Sequence, residues 1–385
     1  MTDPPTGAAA LPDDVVSIAD ARGAEVAGQW RLMWWKFRQH KLAMASGIVV
    51  LLLYLVAIFA EFLAPVDPNA FNPRYTYAPP QDLRMSFVDE SGDRHWGLHV
   101  NGYRSEIDRE TFRRTFVLDD DDRIAVGFFV RSDPYLLAGF IPASVKLVGP
   151  KEAGQPFYVL GADRLGRDML SRVIHGARVS LSIGLVGVFL SLFLGVVLGG
   201  ISGYYGGWID TVIQRLIEFI RSIPTIPLWM GLAAAIPLTL HPLMVYLIIT
   251  AIVSLVGWTD LGREVRGRFL SIKDEDFVAA ARLDGASEGR IILRHMTPSF
   301  LSHIIATVTL AIPTMILAET ALSFLGIGLR PPVVSWGVLL QEAQNVRSVV
   351  TAPWLMWPGA AVVIAVLSFN FLGDGLRDAA DPYAT

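Results

Sequence analysis

Asp276-Phe-Val-Ala-Ala-Ala-Arg-Leu-Asp-Gly-Ala-Ser-Glu-Gly-Arg-Ile-Ile-Leu-Arg-His-Met-Thr-Pro298 is a polar, helix-compatible stretch held between two long apolar runs. If those runs cross a bilayer, the stretch between them must face something at one membrane surface. The pattern predicts a helix from Ile272 to Arg282, with Asp274, Glu275 and Asp276 near its N-terminus, where negative charge suits the helix dipole. Phe277, Ala280 and Ala281 fall on one face and leave a shallow surface. Gly285 permits a turn that a Cβ resists. Glu288 to His295 then opens a second short helix, which Pro298 stops. Two short helices at an angle make a compact knob that suits a groove on a soluble partner.

Composition places the rest of the chain in lipid. Its 385 residues are 52% hydrophobic and only 18% charged, against roughly 25% charged for soluble proteins. There is no cysteine, which excludes disulfides, thiolate nucleophiles and zinc-thiolate sites. The net charge of -4 says little, because its sign changes from segment to segment.

Six runs are long and apolar enough to cross a bilayer, which takes about 20 residues. They are Leu42–Leu63, Val179–Tyr204, Ser222–Leu240, Pro242–Thr259, Leu301–Ala318 and Ala352–Phe371. The third and fourth meet at His241-Pro242, which reads as a tight helical hairpin. The first run is too long for the apolar part of a signal peptide and reads as a permanent helix. Arg31, Lys36, Arg38 and Lys41 precede it. Arg263, Arg266, Arg268, Lys273, Arg282, Arg290 and Arg294 lie between the fourth and fifth runs. Both cationic flanks are expected on the cytoplasmic side, giving six crossings with both termini inside. Arg164, Arg167, Arg172 and Arg178 run against this rule, at the outer end of the second run.

The divisions that follow are a cytoplasmic tail over 1–41, a first span over 42–64, an extracytoplasmic insertion and lead-in over 65–178, and a five-helix core over 179–385. The knob and its flanks occupy 262–300 of that core. Residues 1–27 have the Ala, Asp, Gly and Pro bias of disorder. Trp30 to Arg38 mixes indoles with cations, as suits a helix in the headgroup layer. In the insertion, Arg94 to Tyr103 and Arg123 to Arg131 read as strands and Asp119 to Asp122 as a turn, so a small β-containing domain is expected.

The second run carries Gly187, Ser191, Gly195, Gly199 and Gly203 at intervals of four. They stack on one face and let another backbone approach, within this chain by preference. Gly203 to Trp208 reads as a turn, and the segment from Ile209 to Arg221 is amphipathic. Pro224 and Pro227 then kink the third span and make it a candidate lining of a path. Glu319, late in the fifth span, is a second candidate: it either lines a path or pairs with an Arg of a partner. Glu61 reads as interfacial, and Asn370 and Asp374 close the last helix.

The chain has no G-x-x-x-x-G-K-[ST] phosphate loop and no HExxH. Its seven histidines are scattered. No catalytic residue and no metal site is therefore predicted, and nothing suggests nucleic-acid binding.

The Ala280-Ala281 pair, Gly285 and Pro298 resemble the "EAA" loop of ABC importer permeases. Leu160-Gly-Ala-Asp-Arg-Leu-Gly-Arg-Asp168, Gly203-Tyr-Tyr-Gly-Gly-Trp-Ile-Asp210, Glu319-Thr-Ala-Leu-Ser-Phe-Leu-Gly-Ile-Gly328, Ser335-Trp-Gly337 and Gly373-Asp-Gly-Leu-Arg-Asp378 are similar to segments of dipeptide and oligopeptide permeases of the DppC/OppC type. The resemblance spans 160–382. Ala279 stands where the family's motif opens with an acidic residue, and Ala162 where the family usually has Thr. The resemblance implies an all-α, six-helix type I importer permease in a bacterial inner membrane. It also implies a homologous second permease subunit, two ATPase subunits that hold the ATP and magnesium, an extracytoplasmic substrate-binding protein, and no cofactor on this chain. Coupling to the ATPases would fall to Phe277, Ala280, Ala281, Asp284, Gly285, Ala286 and Arg290. Short peptides are the expected cargo; relatives also carry oligosaccharides or nickel. An ATP-independent secondary transporter is the rival class, disfavoured because neither internal repeats nor a polar midplane is seen.

Overall fold

The computed structural model of the chain describes residues 29–88, 94–107, 114–152, 154–237 and 239–380; the disorder expected over 1–27 lies outside them. Helix α1, Gln29–Gln39, turns Met33 and Phe37 onto Ala43 and Ala379. Its Trp34 and Trp35 stay exposed. His40 caps the next helix, α2 (Lys41–Ile58), by accepting from the Ala43 amide at 3.3 Å. A break at Phe59 leads to the single turn α3, Ala60–Leu63.

A four-stranded antiparallel sheet in sequential order follows: β1 Arg84–Val88, β2 Arg94–Ile107, β3 Arg114–Leu137 and β4 Ile141–Pro150. Val100, Ile124, Val126 and Phe157 form its small core. The tetra-aspartate does not turn the chain, as the sequence had suggested. Asn101 pairs with Arg123 and Gly102 with Asp119, so Asp120 to Asp122 bulge out of β3. A bulge keeps the ladder on both sides while sending the carboxylates into water.

Helix α4, Met169–Tyr205, is 37 residues long, about 55 Å at the helical rise of about 1.5 Å per residue. It begins ahead of the expected Val179, with Arg172 and Arg178 inside it. Their charges are met locally. Arg172 and Arg167 both pair with Asp163, at 3.2 and 2.7 Å, and Arg178 pairs with Glu61. Three of the four cations that ran against the orientation pattern are thus paired with carboxylates.

The third apolar run is not one straight helix. Helix α5 (Gly207–Ser222) and helix α6 (Thr225–Ala234) meet at an angle of 86°. Ile223, which precedes Pro224, is extended at ψ 130°, because the proline ring disfavours helical geometry in the residue before it. Pro227 falls in the first turn of α6, where no intrahelical amide is needed. Helix α7 (Pro242–Ile272) is capped by His241 and runs well beyond Thr259.

Helix α8, Asp276–Leu283, opens the knob. Helix α9 (Leu301–Phe324), the short α10 (Trp336–Leu340) and α11 (Trp357–Ala380) complete the chain. Among the described residues, five helices are long and apolar enough to cross a membrane, or six if the bent α5–α6 pair is one span. Their shared core includes Leu181, Val188, Ile249, Val253, Ile316 and Phe369.

The small-residue stripe of α4 faces α7. A Cβ on Gly199 would lie 2.4 Å from the Gly262 carbonyl oxygen, and one on Gly195 would lie 2.7 Å from Leu261 Cβ. Ser254 Oγ donates to the Gly187 carbonyl at 2.9 Å, and Ser191 Oγ donates to the Ser254 carbonyl at 3.2 Å. The stripe therefore closes a contact within the chain, where lipid supplies no hydrophobic drive and close packing must hold helices together.

Candidate coupling site

The knob is built between the ends of α7 and α9. The helix expected from Ile272 is interrupted: α7 ends at Ile272, a turn takes Lys273 to Glu275, and α8 starts at Asp276. At the far end of α8, Gly285 has φ +73°. The Gly285 amide donates to the Arg282 carbonyl at 3.0 Å and the Ala286 amide to the Ala281 carbonyl at 3.1 Å. This is the Schellman closure, which needs a left-handed residue at this place and so favours glycine. Asp284 is the helix C-cap.

The second half begins as a helical turn at Glu288–Arg290 and widens into a π-helix over Ile291–Met296. Pro298 has no amide to give the Arg294 carbonyl, so α-helical spacing fails there. Pro298 does not stop the segment, as the sequence had suggested. A short helix continues over Thr297–Ser299, and the break falls at Phe300, with φ -126°.

Val278, Ala281, Ile291, Ile292 and Met296 turn inward onto Val265, Phe269, Phe300 and Ile304. Ala281, only 6% exposed, is thus a packing residue beneath the surface it was expected to form with Phe277 and Ala280. Phe277, Ala280, Asp284, Gly285 and Arg290 lie on the outside, and Ala286 is half-buried against the knob's core. Leu283, at 89% exposure, and Leu293 add apolar surface that the sequence reading left out. The outward face of the knob is therefore Phe277, Ala280, Leu283 and Asp284 along α8, with Arg290 and Leu293 beside it.

Two contacts outside the motif hold the knob to the bundle. The Tyr205 hydroxyl, at the end of α4, donates to Glu288 at 2.5 Å, and Arg282 lies over the Tyr204 ring at 5.2 Å. Arg266 of α7 forks onto Asp210 of α5 with two hydrogen bonds of 2.5 Å, and Ser202 also donates to Asp210. The Asp210–Arg266 pair escaped the sequence reading. Its members are 56 positions apart, and only the turn at Gly206 and Gly207, both with positive φ, brings α5 back beside α7.

The expected path residues are placed differently. Glu319 is fully buried. Its Oε1 accepts from Ser335 Oγ at 2.7 Å and from Ser323 Oγ at 2.8 Å, and its Oε2 accepts from Ser180 Oγ at 3.2 Å. Ser180 Oγ in turn accepts the Trp336 amide at 3.1 Å. The carboxyl group thus ties α9 to α4 and to the start of α10, buried within this chain. Pro224 and Pro227 are exposed at the α5–α6 bend.

Sheet and knob sit at opposite ends of α4. Arg178, in its first turns, donates to Glu61 Oε2 at 2.7 Å and to the Ala57 carbonyl at 2.9 Å, beside the sheet. Tyr204 and Tyr205, its last residues, touch the knob.

Residues 195–384 match the family described as binding-protein-dependent transport system inner membrane component. Residues 28–80 match the N-terminal TM domain of oligopeptide transport permease C. The chain is 36% identical over 286 residues to the dipeptide transport system permease protein DppC of Alkalihalophilus pseudofirmus, covering 71% of this chain and 89% of that relative. It is 39% identical over 227 residues to the oligopeptide transport system permease protein OppC of Haemophilus influenzae, covering 59% and 70%. Against OppC of Bacillus subtilis it is 29% identical over 372 residues, 95% of each chain. Among solved structures, the MetNI methionine ABC transporter in an inward-facing conformation aligns with 55% of this chain and 98% of its own, at a TM-score of 0.42 and 19% identity.

Proposed function

We propose that this chain, which belongs to the dipeptide and oligopeptide permease family of binding-protein-dependent transport inner membrane components, forms half of the translocation path of an ATP-driven peptide importer. The relatives named for dipeptide and oligopeptide transport support the cargo. The observation that carries the mechanism is the placement of the knob, with Phe277, Ala280, Leu283 and Asp284 outward, at the end of α4 remote from the sheet.

In this reading the knob faces the cytoplasm, as do both termini, and the sheet faces outward in a bacterial inner membrane. The bent α5–α6 pair completes six crossings. The second permease, the two ATPases that bind ATP and magnesium, and the delivering binding protein are separate polypeptides. Closure of the ATPases moves the knob. The Tyr205–Glu288 and Asp210–Arg266 contacts pass that displacement to α4, α5 and α7, so the bundle alternates between outward-open and inward-open states. The type I permease arrangement is the fold this cycle uses.

The test is reconstitution of the complete complex in proteoliposomes. Uptake of a short peptide, identified by mass spectrometry as the ligand retained by the cognate binding protein, should require ATP on the ATPase side. The isolated chain should hydrolyse none. Uptake by the isolated chain without ATPases would overturn the reading.

A further inference from the structure

The β3–β4 hairpin carries large apolar residues that the described residues leave mostly exposed. Phe128 and Phe129 are each 66% exposed, Leu136 54%, Phe140 73% and Ile141 48%. A water-facing sheet tip is ordinarily polar, so a concentration of large apolar side chains there marks an interaction surface.

Three contacts fix the height and direction of this hairpin. Gly149 lies against Pro65, with an added Cβ 3.5 Å from the Pro65 carbonyl oxygen. Lys146 Nζ donates to the Ala64 carbonyl at 3.0 Å. The Ala138 amide donates to Glu61 Oε2 at 3.3 Å. The hairpin therefore lies against residues 61–65, and its turn, at Ala138, is held at Glu61, three residues beyond Ile58, where the apolar helix α2 ends. The Phe129 ring sits 6.3 Å from that of Phe62. Phe62 follows Ile58 by only four residues, across the break at Phe59, and so stays within about 14 Å of it even if the chain were fully extended. The headgroup layer on each side of the hydrocarbon core is about 5–7 Å deep. Arg178, which donates to the Ala57 and Ile58 carbonyls as well as to Glu61, marks the same level with a cation. Interfacial cations and aromatic rings are what this layer accepts.

We propose that the tip of the β3–β4 hairpin dips into the outer leaflet of the membrane, with Phe140, Leu136 and Ile141 at the boundary between headgroups and acyl chains. The occupant of this surface is lipid because the hairpin runs along the exit of a membrane span and ends at its level. The contact anchors the sheet at two points, through α3 and through lipid, and so fixes the platform above the outer mouth of the bundle. It rests on reading Lys41–Ile58 as a bilayer span.

The cysteine-free chain makes the test direct. Single cysteines would replace Phe140, Trp96 (77% exposed on β2) or Leu52 (53% exposed on α2), each labelled with an environment-sensitive fluorophore. The chain, assembled with its partner subunits, would be held in phosphatidylcholine–phosphatidylglycerol nanodiscs. Lipid carrying a doxyl group near the headgroup should quench the labels at 140 and 52 at least about twofold more than the label at 96, and aqueous iodide should quench mainly the label at 96. A second variant, Phe140→Asp, should leave the other two labels unchanged, while a label at Leu136→Cys in that background should lose its lipid quenching. Iodide quenching at 140 equal to that at 96 would overturn the proposal. Protection of 140 from both quenchers, as by a protein partner, would overturn it too. Failure of the label at 52 to reach lipid would instead overturn the span, and with it the permease reading.

Discussion

Arg266 of α7 holds Asp210 of α5 with two parallel hydrogen bonds of 2.5 Å, its Nε to one carboxylate oxygen and its NH2 group to the other. A forked pair of this kind sets an angle as well as a distance, so it fixes how the amphipathic helix lies against the one that carries the knob. Both side chains are less than a third exposed. Asp210→Asn should therefore cost about 2 kcal/mol of bundle stability, read as a lower melting temperature in nanodiscs. The exchange Asp210→Arg with Arg266→Asp should recover part of that loss. Independent, additive effects of the two single changes would remove the pair from the mechanism.

The α4–α7 contact depends on absent side chains. Gly199→Val places a Cβ 2.4 Å from a backbone oxygen of Gly262, which cannot rotate away. The helices must separate, at a cost of about 3 kcal/mol, and the yield of folded protein should fall. Gly231→Ala meets nothing within 4 Å and should stay within about 1 kcal/mol of the parent. Equal yields from the two variants would show that the glycine stripe does not hold this contact.

Burial pushes the Asp168 carboxyl up to about 6 from its ordinary 3.8. One oxygen caps α4 by accepting the Ser171 amide at 2.7 Å, and the other is buried with no hydrogen bond among the described residues. Because the folded state holds the proton more tightly, the folded protein gains stability from this group fully below about pH 4 and loses it as pH rises through about 6. A change from 3.8 to about 6 corresponds to about 3 kcal/mol. Asp168→Asn keeps the cap and removes the titration. The stability of the variant should be flatter than that of the parent between pH 4 and 6. An unchanged slope would assign the pH dependence elsewhere.

The two-sided arrangement around α4 predicts an asymmetry of labelling. Asp120→Cys on the bulge and Asp284→Cys on the knob should react with an impermeant reagent from opposite faces of the membrane, Asp120→Cys from outside and Asp284→Cys only after lysis. Reaction of both from one side would contradict the separation of sheet and knob.

The apolar runs were legible because spanning a bilayer demands uninterrupted hydrophobic length, and that is a local property. Gly285 was legible for the same reason, since a helix end that needs positive φ advertises itself as glycine. What the sequence hid is set by contacts between distant residues. Arg172 and Arg178 looked like cations outside a helix, because their neutralising partners Asp163 and Glu61 stand elsewhere in the chain. Glu319 looked like a group in a pathway, because two of the three serines that satisfy it, Ser180 and Ser335, come from other segments. Ala281 looked like surface, because three more residues of core, Ile291, Ile292 and Met296, return over it only through the π-helix. The bend of the third span was legible in Pro224 and Pro227; its sharpness, 86° with Ile223 extended before Pro224, was not.

The central claim is that the knob receives the ATPase stroke, and Gly285→Asp tests it. Apart from its chain neighbours, no described residue has an atom within 4 Å of a Cβ at this position, and φ is +73°. The change therefore strains the turn by about 1–3 kcal/mol and adds a charge to the coupling face while leaving the bundle's packing intact. The measurement is ATPase retention on the affinity-purified complex together with peptide uptake in proteoliposomes. The variant subunit should insert normally, still label from outside at Asp120→Cys, keep less than about a tenth of its ATPase and transport no peptide. Full ATPase retention with uptake equal to the parent would contradict it.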